Sequence, residues 1–151
     1  MDKEADEALG SLRDMYATHT LLRREFGLAP GLVRDVAEED ARRVGLVCEH
    51  LDLIMTLLTI HHQSQDACEL SSPPDPGRSG TVVRLTEGEH GRLHRAIDHA
   101  STLIEAWRTS ASSMDSKPLA AALEYLTLVL NDHMTRREER ILWPRTASLA
   151  S

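Results

Sequence analysis

Four stretches of this chain repeat apolar residues every three or four positions, and each places histidine on its apolar stripe. The first runs through Leu9, Leu12, Met15, His19, Leu22 and Phe26. The second is Val44, Val47, Leu51, Ile54, Leu58, His61 and Gln65. The third carries His90, Leu93, His94, Ile97, Ser101, Ile104 and Trp107, and the fourth Leu119, Leu123, Leu126, Leu130 and His133. Such spacing marks one face of an α-helix turned to a core. Five imidazoles are therefore expected to point inward. A buried polar atom without a partner costs about 1–3 kcal/mol, so five separate core histidines would each need their own hydrogen bond. One shared metal centre satisfies them together.

The flanking residues divide the chain. Only 3% of it is aromatic, and its apolar content is mostly leucine, alanine and valine, which favours helices over a β-sandwich. Gly27 and Pro30 predict a kink or short break in the first helix, with the pattern resuming through Leu32, Val33 and Val36. The second helix is expected to begin between Glu38 and Asp40, whose acidic side chains suit a first turn. Ser71 to Gly80 is rich in proline, glycine and serine and reads as a loop, with the connection running to about residue 85. Thr86-Glu87-Gly88-Glu89 has the form of a capping box opening the third helix. Ser112 to Lys117 is the next turn, and Pro118 suits the first position of the last helix. Pro144 is expected to end that helix, having no amide hydrogen to donate. The expectation is an all-α chain of one domain, residues 1–151. It is an antiparallel up-and-down four-helix bundle with a metal site in its core.

Charge and cysteine narrow the function. The net charge of −7 leaves no basic surplus for phosphates, which argues against nucleic acid and against an anionic membrane surface. The most apolar run, Leu51 to Ile60, is too short to span a bilayer. The acidic N-terminus lacks the apolar segment of a signal peptide. Cys48 and Cys68 lie too far apart along one expected helix to bridge. They read as free thiols in a reducing cytoplasm. Arg23-Arg24 and Arg136-Arg137 read as solvated helix faces.

The ligand chemistry follows from the spacing. His90 and His94, four residues apart, sit about 5–6 Å from each other on one helical face and can share a metal. Glu138 lies five residues after His133, about 140° further round the helix, on an adjoining flank of the same inward face. Imidazole with carboxylate and no thiolate suits iron better than structural zinc. His50 is roughly 16 Å along the axis from His61 and so has an indirect or surface role. His99 reads as exposed. Tyr16, one turn before His19, reads as a core tyrosine or as a ligand or hydrogen-bond donor beside the metals.

With His19 in the first helix, His61-His62-Gln63-Ser64-Gln65-Asp66 in the second, His90-x3-His94 in the third and His133-x4-Glu138 in the fourth, the chain resembles the hemerythrin-like family, also called the HHE cation-binding domain. The tail Glu138-Glu139-Arg140-Ile141-Leu142-Trp143-Pro144 resembles the family's helix ending. The resemblance covers nearly the whole chain. It implies a non-haem di-iron centre, with one iron held by His90, His94 and His133, the other by His19 and His61, and Glu138 bridging. The chain departs from the family at the second bridging carboxylate. Counted from His61, that position is Gln65, a neutral amide with one carbonyl oxygen. Counted from His62 it is Asp66, which keeps a carboxylate but shifts the stripe by one residue. The apolar stripe favours His61 and Gln65, so the second iron is expected to bind less tightly and the site to be more open.

The resemblance implies a protein that binds or reacts with dioxygen, nitric oxide or peroxide, with an unidentified reductase as a partner if it turns over. The open site favours peroxide or oxygen redox chemistry, as in a di-iron oxidoreductase. The alternatives are a regulatory module that senses iron or oxygen, and a bundle with a decayed site acting as an interaction protein.

Overall fold

A computed structural model describes residues 3–71 and 80–149, of which the side chains of 8, 64–71, 80–87, 89–90 and 141–149 lie outside the description. Four helices and no strand are present among the described residues: α1 (Lys3–Arg34), α2 (Ala41–Ser71), α3 (Gly80–Ser110) and α4 (Ser113–Leu149). They pack around one cycle: α1 touches α2 and α4, and α3 touches α2 and α4. The core holds Leu22, Phe26 and Val33 of α1, and Val44, Leu51, Ile54 and Leu58 of α2. Leu93, Ile104 and Trp107 of α3 join Leu119, Leu123, Leu126 and Leu130 of α4. These are the apolar stripes of the sequence closed on one another.

Helix boundaries depart from the sequence expectation in instructive places. α1 does not break at Gly27 or Pro30 but runs unbroken to Arg34. Proline at position 30 leaves the Phe26 carbonyl without its helical amide partner. The Thr127 hydroxyl of α4 donates to that carbonyl at 3.0 Å, so a neighbouring helix repairs the gap. Thr127→Val should cost about 1 kcal/mol of stability, read by urea unfolding. A neutral substitution would show that the bond is idle.

Asp40 caps α2, its carboxylate accepting from the Arg43 amide at 3.1 Å. α3 begins at Gly80, six residues before the expected box, because Thr86 lies inside the helix rather than at its end. The Thr86 and Glu89 side chains are outside the described residues. α4 begins at Ser113, not Pro118. Its cap is Ser112, whose hydroxyl accepts from the Met114 amide at 3.1 Å. Pro118 therefore sits in the second turn. α4 also continues past Pro144 to Leu149: an interior proline removes one helical bond, and the helix tolerates that loss.

The two short connectors meet. The Glu39 amide donates to the Ala111 carbonyl at 3.0 Å, and Glu38 accepts from the Ser113 hydroxyl at 2.8 Å. Both connectors thus lie at one end of the bundle. His19, His61, His62, His94 and His133 lie between 15 and 21 residues from the connector ends of their helices. At 1.5 Å per residue that sets them about 22–32 Å from that end, in one zone of the bundle.

α2 is apolar on two sides. Val44, Val47, Leu51, Ile54 and Leu58 are buried, while Leu46, Leu53, Leu57 and Ile60 face outward. Ala41–Gln63 is, by length and composition, long and apolar enough to cross a membrane, where the sequence reading took only Leu51 to Ile60 and found it too short. Its inner face belongs to the core of the bundle.

Candidate functional site

The site is built where the four stripes pass from aliphatic to imidazole side chains. On α2 the buried stripe runs through Leu51, Met55 and Leu58 to His62, which is 2% exposed. His61 is half-buried. The apolar spacing predicts His61 on this stripe; the structure puts His62 there. His62 follows Leu58 by four residues, which keeps it on the inner arc, whereas His61 is turned about 100° towards α1. Both therefore reach the interior by different sides, and the choice between them dissolves.

Two groups result. His19 of α1 is fully buried, and its Nε2 lies 3.0 Å from Nε2 of His61. Their rings meet edge to face, with centroids 4.9 Å apart. The second group surrounds His62. Its ring centroid is 4.9 Å from that of His94 on α3 and 5.6 Å from that of His133 on α4. His94 is the most exposed of the five and His133 is half-buried. The adjacency of His61 and His62 in α2 joins the groups, so imidazoles from all four helices occupy one level. His90, Gln65 and Asp66 lie on α3 and α2 with side chains outside the described residues. Among the described residues, no group of three or more histidine, cysteine or carboxylate side chains converges on a single ion position.

The contacts of Glu138 fall on Arg23 and on the His19 side of the site. Arg23 holds it with two hydrogen bonds, Nη1 to Oε1 at 2.9 Å and Nη2 to Oε2 at 2.6 Å. Oε1 also lies 3.5 Å from Nδ1 of His19. Carboxylate on Nδ1 and a second imidazole on Nε2 fix the direction in which His19 presents its Nε2. At 3.5 Å the carboxylate contact is electrostatic, a looser form of the carboxylate–histidine arrangement that orients metal ligands. Arg23 draws Glu138 below the usual carboxylate range, and Glu138 raises the Arg23 guanidinium in return. Arg23, read from sequence as solvated, is instead a member of the site. The available signal was its position four residues after His19, one turn along the same face. Arg137 is half-buried and its charge acts on His19 and His61, while Arg24 and Arg136 are exposed as expected.

The remaining candidates are placed simply. Tyr16 is half-buried beside Arg23. His50 pairs with Glu25 at 2.9 Å on the seam between α1 and α2, and His99 is exposed. Cys48 is buried in the core as a free thiol; burial pushes it up from its ordinary value. Cys68 lies outside the described side chains.

Burial lowers His61 to about 4, aided by the neighbouring charges of His19, Arg137 and His62. Burial also lowers His19, although Glu138 opposes it. Both rings are thus neutral at pH 7, the state in which imidazole nitrogen accepts a proton or a metal. Above pH 6.5 His61 is neutral whether folded or unfolded. As pH falls from 6.5 towards 4, only the unfolded chain takes the proton, and stability declines by up to about 3 kcal/mol. Urea unfolding across that range should show the decline in the wild type and a shallower one in His61→Gln. Equal slopes would mean that His61 charges freely in the folded chain.

Comparison with protein-family models, with curated proteins and with solved structures finds no match to this chain.

Proposed function

We propose that this chain is a hemerythrin-like, antiparallel up-and-down four-helix bundle that holds non-haem iron at its histidine level. In this reading it binds or reacts with dioxygen, nitric oxide or peroxide in the cytoplasm. The observation that carries the reading is the meeting of imidazoles from α1, α2, α3 and α4 near one level. The pairing of His19 with His61, and of Glu25 with His50, supports the antiparallel run of α1 and α2. The donor set fits iron in kind, being nitrogen and oxygen without thiolate. His62, His94 and His133 would hold one ion, with His90 joining them from α3. His19 and His61 would hold the second, with Gln65 or Asp66 completing it from α2. Iron supplies redox-active positions at which small ligands can bind.

The chain's own residues set the conditions. Burial keeps His19 and His61 unprotonated, so neither must lose a proton before binding. Glu138, fixed by Arg23, holds the orientation of His19 and keeps negative charge on its Nδ1 side. Leu22, Leu58, Leu93 and Leu130 are buried and exclude water from the connector side of the histidines. His94 stays exposed to solvent, which gives small ligands a way in, and in this reading they undergo peroxide or oxygen redox chemistry rather than larger-molecule turnover. An iron- or oxygen-sensing module would use the same site, and a decayed bundle would use none of it.

The test is anaerobic loading of the full chain with ferrous iron, followed by metal analysis and a visible spectrum after exposure to air, peroxide or nitric oxide. Up to two irons per chain and a spectrum that changes with the added ligand are expected. Stoichiometric zinc with little iron, or no metal, would remove the reading. Peroxide consumption then separates an enzyme from a carrier or sensor.

A further inference from the structure

The outer faces of α1 and α2 carry an apolar band that the bundle leaves uncovered. On α1 it consists of Leu21, Leu28 and Leu32, which are 44%, 55% and 37% exposed. On α2 it consists of Leu46, Leu53, Leu57 and Ile60, at 54%, 57%, 37% and 58%. The α1 positions are spaced by seven and four residues, and the α2 positions by seven, four and three. That is the spacing of a helix seam, not of scattered surface leucines. The two stripes also converge. Leu32 and Leu46 line one groove of about 390 Å3 with Arg43, Val47 and His50. The Glu25–His50 pair crosses the seam between them.

We propose that this band is the contact surface for a second copy of the chain, paired about a twofold axis near Leu53. Three observations favour a second copy. First, α2 is self-complementary about Leu53. Leu46 lies seven residues before it and Ile60 seven after, so an antiparallel α2–α2 contact sets Leu46 on the partner's Ile60 and Leu53 on itself. A twofold interface requires that kind of self-match. Second, seven aliphatic side chains at 37–58% exposure leave several hundred Å2 of apolar surface, the size of patch that often marks a contact site. That approaches the roughly 800 Å2 per partner of a standard interface. Third, a helix apolar on both sides is ordinarily buried on both, and the core covers only one side of α2. A lipid surface is the competing occupant, and the net charge of −7 opposes an anionic bilayer. The dimer stands on surface residues alone and does not depend on the metal.

Sedimentation of the full chain at roughly 100 µM should give a mass twice the 16.8 kDa of one chain. Leu53→Glu should give a monomer with unchanged helical circular dichroism, because that side chain faces solvent in the single bundle. Leu53→Cys should form a covalent dimer on mild oxidation. Leu128→Cys should not, since Leu128 is 70% exposed on α4, the helix that lies diagonally across the cycle from α2. A wild-type monomer at that concentration overturns the proposal. So does a dimer that survives Leu53→Glu, or one that Leu128→Cys links as readily as Leu53→Cys. Flotation of a monomeric wild type with phosphatidylcholine vesicles, lost in Leu53→Glu, would assign the band to lipid and overturn it as well.

Discussion

Replacing His62 by alanine is expected to strip most of the iron from the loaded chain, with affinity falling by about 100-fold or more. The reason is its position. His62 is the most buried side chain of its group at 2% exposure, and its ring packs against both His94 and His133 on two other helices. Removing it takes a donor from the centre and opens a space into which its neighbours can tilt. His50→Ala and His99→Ala should keep full iron content, since one pairs with Glu25 at the surface and the other is exposed. Circular dichroism of the metal-free variant should still show a helical bundle, because the aliphatic core is untouched. Full iron in His62→Ala would place the metals away from this group. Glu138→Gln should act more mildly. It leaves every imidazole in place but loosens the orientation of His19, and a loss on the order of 10-fold is expected.

Trp107→Ala should produce the largest loss of stability, about 3–5 kcal/mol. Trp107 is 1% exposed and heads the fully buried side chains by volume. Its removal opens a cavity between α3 and the facing helices that rigid helix axes cannot close. For a chain of this length each kcal/mol lowers the melting temperature by roughly 2–4 °C, so a fall on the order of 10 °C is expected. Leu128→Ala, on an exposed face, should stay within about 0.5 kcal/mol of wild type. Similar small changes in both variants would mean that the stripes do not close on one another as described.

The fold was legible because burial and periodicity agree. Leu22, Phe26, Leu51, Leu58, Ile104, Trp107 and Leu123 all lie on the stripes read from the chain, and all are in the core. Helix ends were less legible, because local residues compete with tertiary partners. Pro30 signals a break, yet Thr127, nearly a hundred residues away, satisfies the carbonyl that proline frees. Ser112 caps α4, but a serine among Ser110, Ser113 and Ser116 gives no unique signal. At the site, the histidines were visible as polar residues on apolar stripes. Their grouping was not, because it depends on how far α2 turns. A single stripe allows one of His61 and His62, whereas packing between α1 on one side and α3 and α4 on the other brings in both. Arg23 was missed because arginine four residues from a core histidine looks solvated until Glu138 arrives from α4. The outer band of α2 was missed because an inward stripe dominated its periodicity.

X-ray absorption at the iron edge of the loaded full chain tests an imidazole-held iron pair most directly. The expected spectrum has a nitrogen and oxygen shell with the outer scattering of several imidazole rings, an iron–iron component and no sulfur. His62→Ala should lose part of the imidazole signal along with the metal. A sulfur shell at about 2.3 Å, the length of a metal–thiolate bond, would move the metal to a cysteine. A shell of oxygens without imidazole scattering would mean surface-bound iron, and either result would contradict a centre built from His19, His61, His62, His94 and His133.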